Sequence, residues 1–388
     1  MAAIAAATHQ HPSFQQTMLR VADPKAACAF FSDVLGMCVD ARHRRRRLLL
    51  SRAPPPHHRI AGHRRSTITT FRFPEASFDL YFMATLTLDE VATPDDALPP
   101  VWCWPRATLE LTHNYGTEAA PAGTKVYCTG NESPHEGFAC VGFTVSDGAG
   151  FMAAATRAGV RIIAPWTAHG GGFGVIAEPS TGYAVRIVER PRRGGPAAGT
   201  TAAASAPASA DAASSVPRDF APRFLDSVLR VTDATATAAF YRDHFHANVV
   251  ARRAVGGVLR GDAVVAYVAT SSHGGRVPAA PAAAAEAATA DWRYPSLLTG
   301  YDSAIGLVVD PDLAAAGRAP CSGNVDPGRG FGHVGFLVDD LDAFCATLES
   351  RGVRFKKRPS EGRMRGIAFA LDPDGYWVEI IQRGWRGS

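Results

Sequence analysis

The sequence predicts an α+β chain in which two tandem copies, each made of paired βαβββ modules, form a pseudo-dimer within one chain. Three observations indicate this fold class. The chain has 388 residues, which is enough for two or three domains. Four segments recur in the same order in its two halves. Within each copy, short strand-like runs alternate with helix-like runs.

The repeat consists of four pairs of matching segments. The last three pairs are 193 positions apart and the first pair is 210 apart, because the first copy carries the longer insertion. Repetition in a fixed order indicates that a whole structural unit was duplicated. The pairs are FQQTMLRVAD (14–23) with FLDSVLRVTD (224–233), FACVGFTV (138–145) with FGHVGFLV (331–338), AGVRI (158–162) with RGVRF (351–355), and TGYAVRIV (181–188) with DGYWVEII (374–381).

Each copy begins with a strand followed by a helix. In the first copy Asp23 can cap the helix, Pro24 suits its first turn and Gly36 can end it. Three further strands, a second helix and a final three-stranded stretch complete the two modules. Two copies of this kind, facing each other, would form the pseudo-dimer.

The composition between the copies indicates the domain boundaries. Residues 191–217 are rich in Ala, Ser, Pro and Gly, which is typical of a flexible linker. We therefore expect an N-terminal domain over 1–190 and a C-terminal domain over 218–388. An Arg-rich insertion at 42–65 interrupts the first, and an Ala-rich insertion at 274–290 interrupts the second.

The positive charge of the chain comes from one insertion. The net charge is +4, but residues 42–65 hold nine arginines and no acidic residue, so the chain without them would carry −5. A nucleic-acid site would have to lie there, yet the segment lacks aromatic residues for base stacking. We predict a solvated, disordered insertion and no nucleic-acid partner. Whether this segment is present in the mature protein stays open.

The cysteines and the apolar runs indicate where in the cell the protein is expected. The seven cysteines are odd in number and none has CxxC spacing, which favours reduced thiols in the cytoplasm. No apolar run approaches the roughly 20 residues of a membrane helix, so we expect no membrane association. The first residues resemble a frayed terminus more than a secretion signal, and a short organellar leader is the alternative.

Two glutamates occur midway along apolar strands. Glu110 shares a strand face with Asn114, and Glu379 shares one with Trp377. An ionised carboxylate is costly to bury without a partner. A metal ion held by both glutamates would remove that cost.

Comparison of the two copies identifies a complementary ligand set. A single buried Gln or His is more often a hydrogen-bonded core residue than a ligand. The positions that match Gln16, Glu110, Cys140 and Arg186 in the other copy are Asp226, Gly306, His333 and Glu379. Neither half alone holds four ligands. A complete set of O and N donors arises only when the halves are crossed, from Gln16, Glu110, His333 and Glu379, and the leftover set has a glycine and a guanidinium where ligands would stand.

Four motifs in this order resemble those of the glyoxalase I (lactoylglutathione lyase) family, of the tandem eukaryotic zinc type within the vicinal-oxygen-chelate superfamily. They are QQTMLRV, ATLELTHNYGTE, RGFGHVGF and DPDGYWVEI. The resemblance covers both halves apart from the linker and the insertions. It implies that each metal centre takes Gln and Glu from one unit and His and Glu from the other, which matches the crossed set.

The resemblance also implies an activity and a substrate. The substrate would be the hemithioacetal of glutathione and methylglyoxal, isomerised to S-D-lactoylglutathione in methylglyoxal detoxification. Glu379 would be the principal base and Glu110 the second carboxylate. Zn²⁺ is the expected metal, with Ni²⁺ or another divalent ion as the alternative. The implied substrate contacts are Arg20, Asn114, Arg329, His333, Lys357, Arg363 and Met364.

Three other classes of protein are alternatives. A ligand-sequestering protein on the same fold would not need the four donors, and an iron-dependent extradiol dioxygenase prefers two histidines and one carboxylate. A degenerate pseudoenzyme is favoured only by the insertions, which fall in loops that tolerate them. We therefore expect a metal-dependent lyase acting on a small molecule, as a monomer with one site shared between the domains.

Overall fold

The structure is a computed structural model. It describes residues 12–37, 69–85, 99–104, 106–121, 123–167, 172–190, 220–255, 263–269, 303–362 and 364–385. The Arg-rich insertion, the linker and the Ala-rich insertion that the sequence predicts lie outside these ranges. The proposed division into two domains therefore rests on the sequence repeat.

The described chain forms four βαβββ modules in succession. A short helix, α4 (Pro311–Ala315), follows the third module. The first comprises β1 (Ser13–Arg20), α1 (Pro24–Asp33), β2 (Thr70–Phe73), β3 (Phe78–Met83) and β4 (Thr108–Asn114). The second comprises β5 (Phe138–Val145), α2 (Gly148–Arg157), β6 (Ile162–Thr167), β7 (Phe173–Ala177) and β8 (Ala184–Glu189). The third comprises β9 (Arg223–Val231), α3 (Ala234–Phe245), β10 (Asn248–Val255), β11 (Ala263–Ala269) and β12 (Ala304–Val309). The fourth comprises β13 (Phe331–Val338), α5 (Leu341–Ser350), β14 (Phe355–Lys357), β15 (Ile367–Leu371) and β16 (Trp377–Gln382).

The helix of each module begins with the same local signal. An aspartate stands directly before the helix and its carboxylate accepts hydrogen bonds from backbone N–H groups of the first turn, which otherwise lack partners. Asp23, for example, accepts from the N–H groups of Lys25 and Ala26. Gly36 adopts a left-handed φ of 64° after α1, as expected for a helix stop. The equivalent caps are Asp147, Asp233 and Asp340.

The modules combine across the halves into two eight-stranded sheets. Sheet I has the order β14-β15-β16-β13-β1-β4-β3-β2 and joins the first module to the fourth. Sheet II has the order β10-β11-β12-β9-β5-β8-β7-β6 and joins the second to the third. The seams are antiparallel pairs, β1 with β13 and β5 with β9. This arrangement confirms the predicted fold class, and every sheet draws one module from each half.

Apolar side chains hold the two sheets together at the seams. Phe138 and Phe331, one from each seam, stack with ring centroids 5.1 Å apart, and both are buried. The hydroxyls of Thr17 and Ser227 form a 2.7 Å hydrogen bond between the sheets. The core therefore runs across the repeat boundary and fixes the two halves against each other.

None of the described helices is long and apolar enough to cross a membrane.

Candidate metal centre

Four adjacent strands of sheet I place four polar side chains on one face. Across the seam, Met18 lies opposite His333 on one side and beside Glu110 on the other. Gly335 lies between Gln16 and Glu379 in the registers of their strands. A side chain at Gly335 would displace Gln16, because an added Cβ would stand 2.7 Å from Cγ of Gln16. The glycine therefore leaves room for the Gln16 side chain.

The four side chains that the sequence predicts as ligands meet. The donor atoms of Glu110, His333 and Glu379 all lie within 4.8 Å of one another. Nε2 of Gln16 is 2.5 Å from Oε2 of Glu110, 2.7 Å from Oε2 of Glu379 and 3.3 Å from Nε2 of His333. All four residues are buried. Sheet I thus brings together Gln16 and Glu110 from the first half with His333 and Glu379 from the second.

Burial and mutual charge shift the pKa values in this cluster. Burial raises the pKa of Glu379, and the neighbouring Glu110 carboxylate adds to the increase, although His333 opposes it. For His333, burial is the largest single effect and lowers the pKa. The carboxylates of Glu379 and Glu110 together outweigh it and raise the pKa to about 9. Two buried carboxylates beside one imidazole form a site that a cation would stabilise.

The donors fit a divalent metal ion. Oε1 of Gln16 is buried and has no hydrogen-bond partner among the described residues, whereas its amide nitrogen points at the carboxylates. A half-turn of the amide would exchange the two atoms and direct the oxygen at the cluster. Three oxygen donors and one imidazole are ligands that Zn²⁺ and other first-row divalent ions accept.

Two residues from the predicted substrate contacts lie farther along the same strands. Arg20 donates through Nη1 to Phe331 O (3.1 Å) and through Nη2 to Oδ1 of Asn324 (2.9 Å). Its Nε has no hydrogen-bond partner among the residues that the structure describes. Asn114 donates from Nδ2 to the hydroxyl of Tyr127 at 2.7 Å. Burial lowers the pKa of Arg20, and the charge of Arg329 acts in the same direction.

The other predicted contacts belong to the second half of the chain. Lys357 donates to the carbonyls of Ile367 (2.7 Å) and Met364 (2.8 Å). Burial lowers the pKa of Lys357 and the charge of Glu379 opposes that decrease, so the ammonium lies within electrostatic range of the cluster. Met364 is 36% exposed. Arg329 is half exposed and pairs with Asp326 at 2.9 Å. Arg363 lies outside the described residues.

The leftover set meets in sheet II and is closed by an internal ion pair. The Arg186 guanidinium hydrogen-bonds the Asp226 carboxylate, and both are buried. Gly306 contributes no ligand atom, and burial raises the pKa of the Cys140 thiol to about 12. The guanidinium thus occupies the position where a cation would bind. This set does not form a metal centre.

A second buried ion pair joins the counterparts of Arg20 and Asn114 in the other copy. Arg230, the counterpart of Arg20, donates from Nε to Oδ2 of Asp310 at 2.9 Å, and both side chains are 1% exposed. Asp310 is the counterpart of Asn114. In sheet II the protein's own carboxylate therefore binds the arginine Nε, whereas in sheet I no described residue accepts a hydrogen bond from Nε of Arg20.

Sequence reasoning missed Asn324 and Tyr127. A signal for Asn324 exists, because CTGN (128–131) and CSGN (321–324) repeat at the same offset of 193. Each Asn serves the arginine of the opposite half: Asn324 accepts from Arg20, and Asn131 accepts from Arg230. No comparable signal marks Tyr127, whose counterpart is Pro320.

Comparison with known proteins gives a consistent result. Residues 223–380 match the model of the Glyoxalase/Bleomycin resistance protein/Dioxygenase superfamily. A lactoylglutathione lyase of Schizosaccharomyces pombe is 56% identical over 62 residues, which is 16% of this chain and 20% of that protein. Glyoxalase I of Saccharomyces cerevisiae is 57% identical over 67 residues, which is 17% of this chain and 21% of that protein. The aligned parts thus span about a fifth of these relatives.

Solved structures resemble the whole chain in fold. Glyoxalase I from Zea mays superposes with a TM-score of 0.54 at 14% identity, covering 97% of this chain and 94% of that one. At this level of identity the likeness concerns the fold alone.

Proposed function

This chain carries a domain of the glyoxalase superfamily over residues 223–380, and we propose that the whole chain is a lactoylglutathione lyase with one metal-dependent site shared between its halves. Its substrate is the hemithioacetal of methylglyoxal and glutathione, and its product is S-D-lactoylglutathione. The observation that carries the proposal is the meeting of Gln16, Glu110, His333 and Glu379 on one face of sheet I. The curated relatives, named for the same activity, support it over their short aligned segments.

The four clustered side chains would hold the ion. When bound, a divalent ion supplies Lewis-acid polarisation of the substrate's oxygens. Zinc is our first choice, with nickel or another divalent ion as the alternative, because the donor set has a single imidazole and three oxygens. Gln16 is neutral, so the site carries two formal negative charges rather than three and stays electrophilic.

Glu379 acts as the principal base. The reaction removes a proton from a carbon next to a carbonyl and returns it one carbon away. A general base works best when its pKa lies near the operating pH, and burial beside Glu110 raises the pKa of Glu379 in that direction. Glu110 is the second carboxylate and serves the other stereoisomer of the substrate.

The cations around the cluster bind the carboxylates of glutathione. Arg20 stands four residues beyond Gln16, and at ~3.3 Å per residue this corresponds to about 13 Å. That distance suits the glutamyl end of the tripeptide. The ion pair of Arg230 with Asp310 supports this role, because it shows that a carboxylate fits beside the equivalent guanidinium. By the family resemblance, we expect Arg329, Lys357, Arg363 and Met364 to contact the rest of the substrate.

The chain acts as a monomer in the cytoplasm in this proposal. Each seam joins the two halves, so a single chain supplies all four ligands. The six cysteines within the described residues are free thiols, which suits a reducing compartment.

The test is thioester formation on mixing the protein with methylglyoxal and glutathione, followed by ultraviolet absorbance. We expect turnover with added zinc or nickel and its loss on chelation. Glu379→Gln should retain some metal but lose most turnover, because an amide cannot accept the proton. Glu178→Gln is the control, since Glu178 is also buried but accepts hydrogen bonds from the backbone N–H groups of Ser180 and Thr181 in a turn. Near-parental turnover in Glu379→Gln would exclude Glu379 as the base.

A further inference from the structure

Tyr127 lies in the segment between β4 and β5, beside the end of the strand that carries Asn114. We propose that Tyr127 is a positioning residue that fixes the orientation of the Asn114 amide, so that this amide recognises the ammonium group of the substrate's glutamyl end. The inference rests on the proposed function and specifies how one end of its substrate is recognised.

The contact that carries the inference is short and partly buried. Nδ2 of Asn114 donates to the Tyr127 hydroxyl at 2.7 Å, and Tyr127 is 6% exposed. Because the nitrogen is engaged, Oδ1 of Asn114 is the end of the amide left to face a ligand. Neither Oδ1 of Asn114 nor the proton of the Tyr127 hydroxyl has a hydrogen-bond partner in the described part of the chain.

The glutamyl end of glutathione carries a carboxylate and an ammonium on one carbon. Arg20 offers the carboxylate its Nε–H, which has no hydrogen-bond partner among the described residues. An amide oxygen repels a carboxylate but accepts a hydrogen bond from an ammonium group. The orientation imposed by Tyr127 therefore pairs each charged group of the ligand with a group of opposite polarity.

Sheet II provides an internal comparison. There the counterpart of Asn114 is Asp310 and the counterpart of Tyr127 is Pro320, which has no hydroxyl. Asp310 turns to Arg230 and binds its Nε at 2.9 Å. In the half that has the tyrosine, Nε of Arg20 has no hydrogen-bond partner among the described residues. In the half that lacks it, Asp310 binds Nε of the equivalent Arg230.

The experiment compares two substrates in two variants. The substrates are the methylglyoxal adducts of glutathione and of glutaryl-cysteinyl-glycine, which lacks the ammonium group. The variants are Tyr127→Phe and the control Tyr376→Phe. Tyr376 is also buried, and its hydroxyl donates to the carbonyl of Arg230 on β9. KM and kcat are measured for both adducts, and calorimetry with S-hexylglutathione measures binding without turnover.

We expect Tyr127→Phe to raise KM for the glutathione adduct about three- to tenfold with little change in kcat, as the loss of one neutral hydrogen bond predicts. Calorimetry should show a matching weakening of S-hexylglutathione binding. KM for the analogue without the ammonium should stay near that of the parent protein, and Tyr376→Phe should change neither KM.

Equal increases in KM for both adducts would overturn the role, because a general loss of local order does not distinguish them. Parental KM values in Tyr127→Phe would also overturn it. A parent protein without turnover would instead contradict the proposed function, and this role would fail with it.

Discussion

Asn114→Asp should close the substrate site by copying the second half of the molecule. In sheet II the equivalent residue, Asp310, binds Nε of Arg230 at 2.9 Å. In sheet I the corresponding Nε of Arg20 has no partner among the described residues. A carboxylate at position 114 would reach it in the same way and compete with the carboxylate of the substrate.

The expected rise in KM follows from the hydrogen bond that the substrate loses. A hydrogen bond to a charged group contributes about 1.5–3 kcal/mol. Since each 1.4 kcal/mol corresponds to a tenfold change in affinity, KM should rise roughly 10- to 150-fold. The value of kcat should change little, because residue 114 lies about 13 Å along the strand from Glu110 at ~3.3 Å per residue. The melting temperature should not fall, because the new ion pair is internally satisfied.

The matched control is Asp310→Asn, which should give the opposite result. Arg230 and Asp310 are both 1% exposed, and removing one partner of a buried ion pair costs about 3–5 kcal/mol. The amide retains an acceptor, so we expect the lower end of that range, a fall of several degrees in melting temperature, and an unchanged KM. Steady-state kinetics and thermal unfolding of both variants provide the test. An unchanged KM in Asn114→Asp would refute the assignment of Arg20 as the carboxylate contact.

Three further outcomes are expected. Elemental analysis should find one divalent ion per chain, because the Arg186 guanidinium fills the second set; two ions per chain would mean that this set also binds metal. Metal binding near pH 7 should release about one proton, because the pKa of His333 is raised to about 9 and a ligand imidazole must be neutral. Metal affinity should therefore rise with pH until about 9. Calorimetry in buffers of different ionisation enthalpy measures the number of protons released. Deletion of residues 42–65 should leave the rate and the melting temperature nearly unchanged, since their composition is that of a solvated loop, and a large loss of either would show that the segment packs.

The repeat made the ligand set predictable from the sequence. Alternation along single strands places Glu110 and Glu379 on particular faces, and the matched positions show which ligands each half has lost. The crossed set of Gln16, Glu110, His333 and Glu379 could therefore be predicted before any geometry. The helix caps, such as Asp23, were equally accessible, because a cap depends only on its nearest neighbours along the chain.

Contacts between distant segments could not be predicted in this way. Arg230 and Asp310 are eighty positions apart, and nothing local to either indicates an ion pair. The orientation of the Asn114 amide depends on Tyr127, which follows the strand and has no equivalent in the other copy. Strand periodicity also does not specify which edge strands join, so the pairing of the first module with the fourth required the structure.

In the proposed function one metal site needs both halves, and separate expression of the halves tests this most directly. Residues 1–190 carry Gln16 and Glu110, and residues 218–388 carry His333 and Glu379. Each half alone should bind metal weakly and show no turnover. Mixing them should restore turnover that saturates at a one-to-one ratio, because each sheet needs one module from each half. Full activity from either isolated half would contradict the shared site.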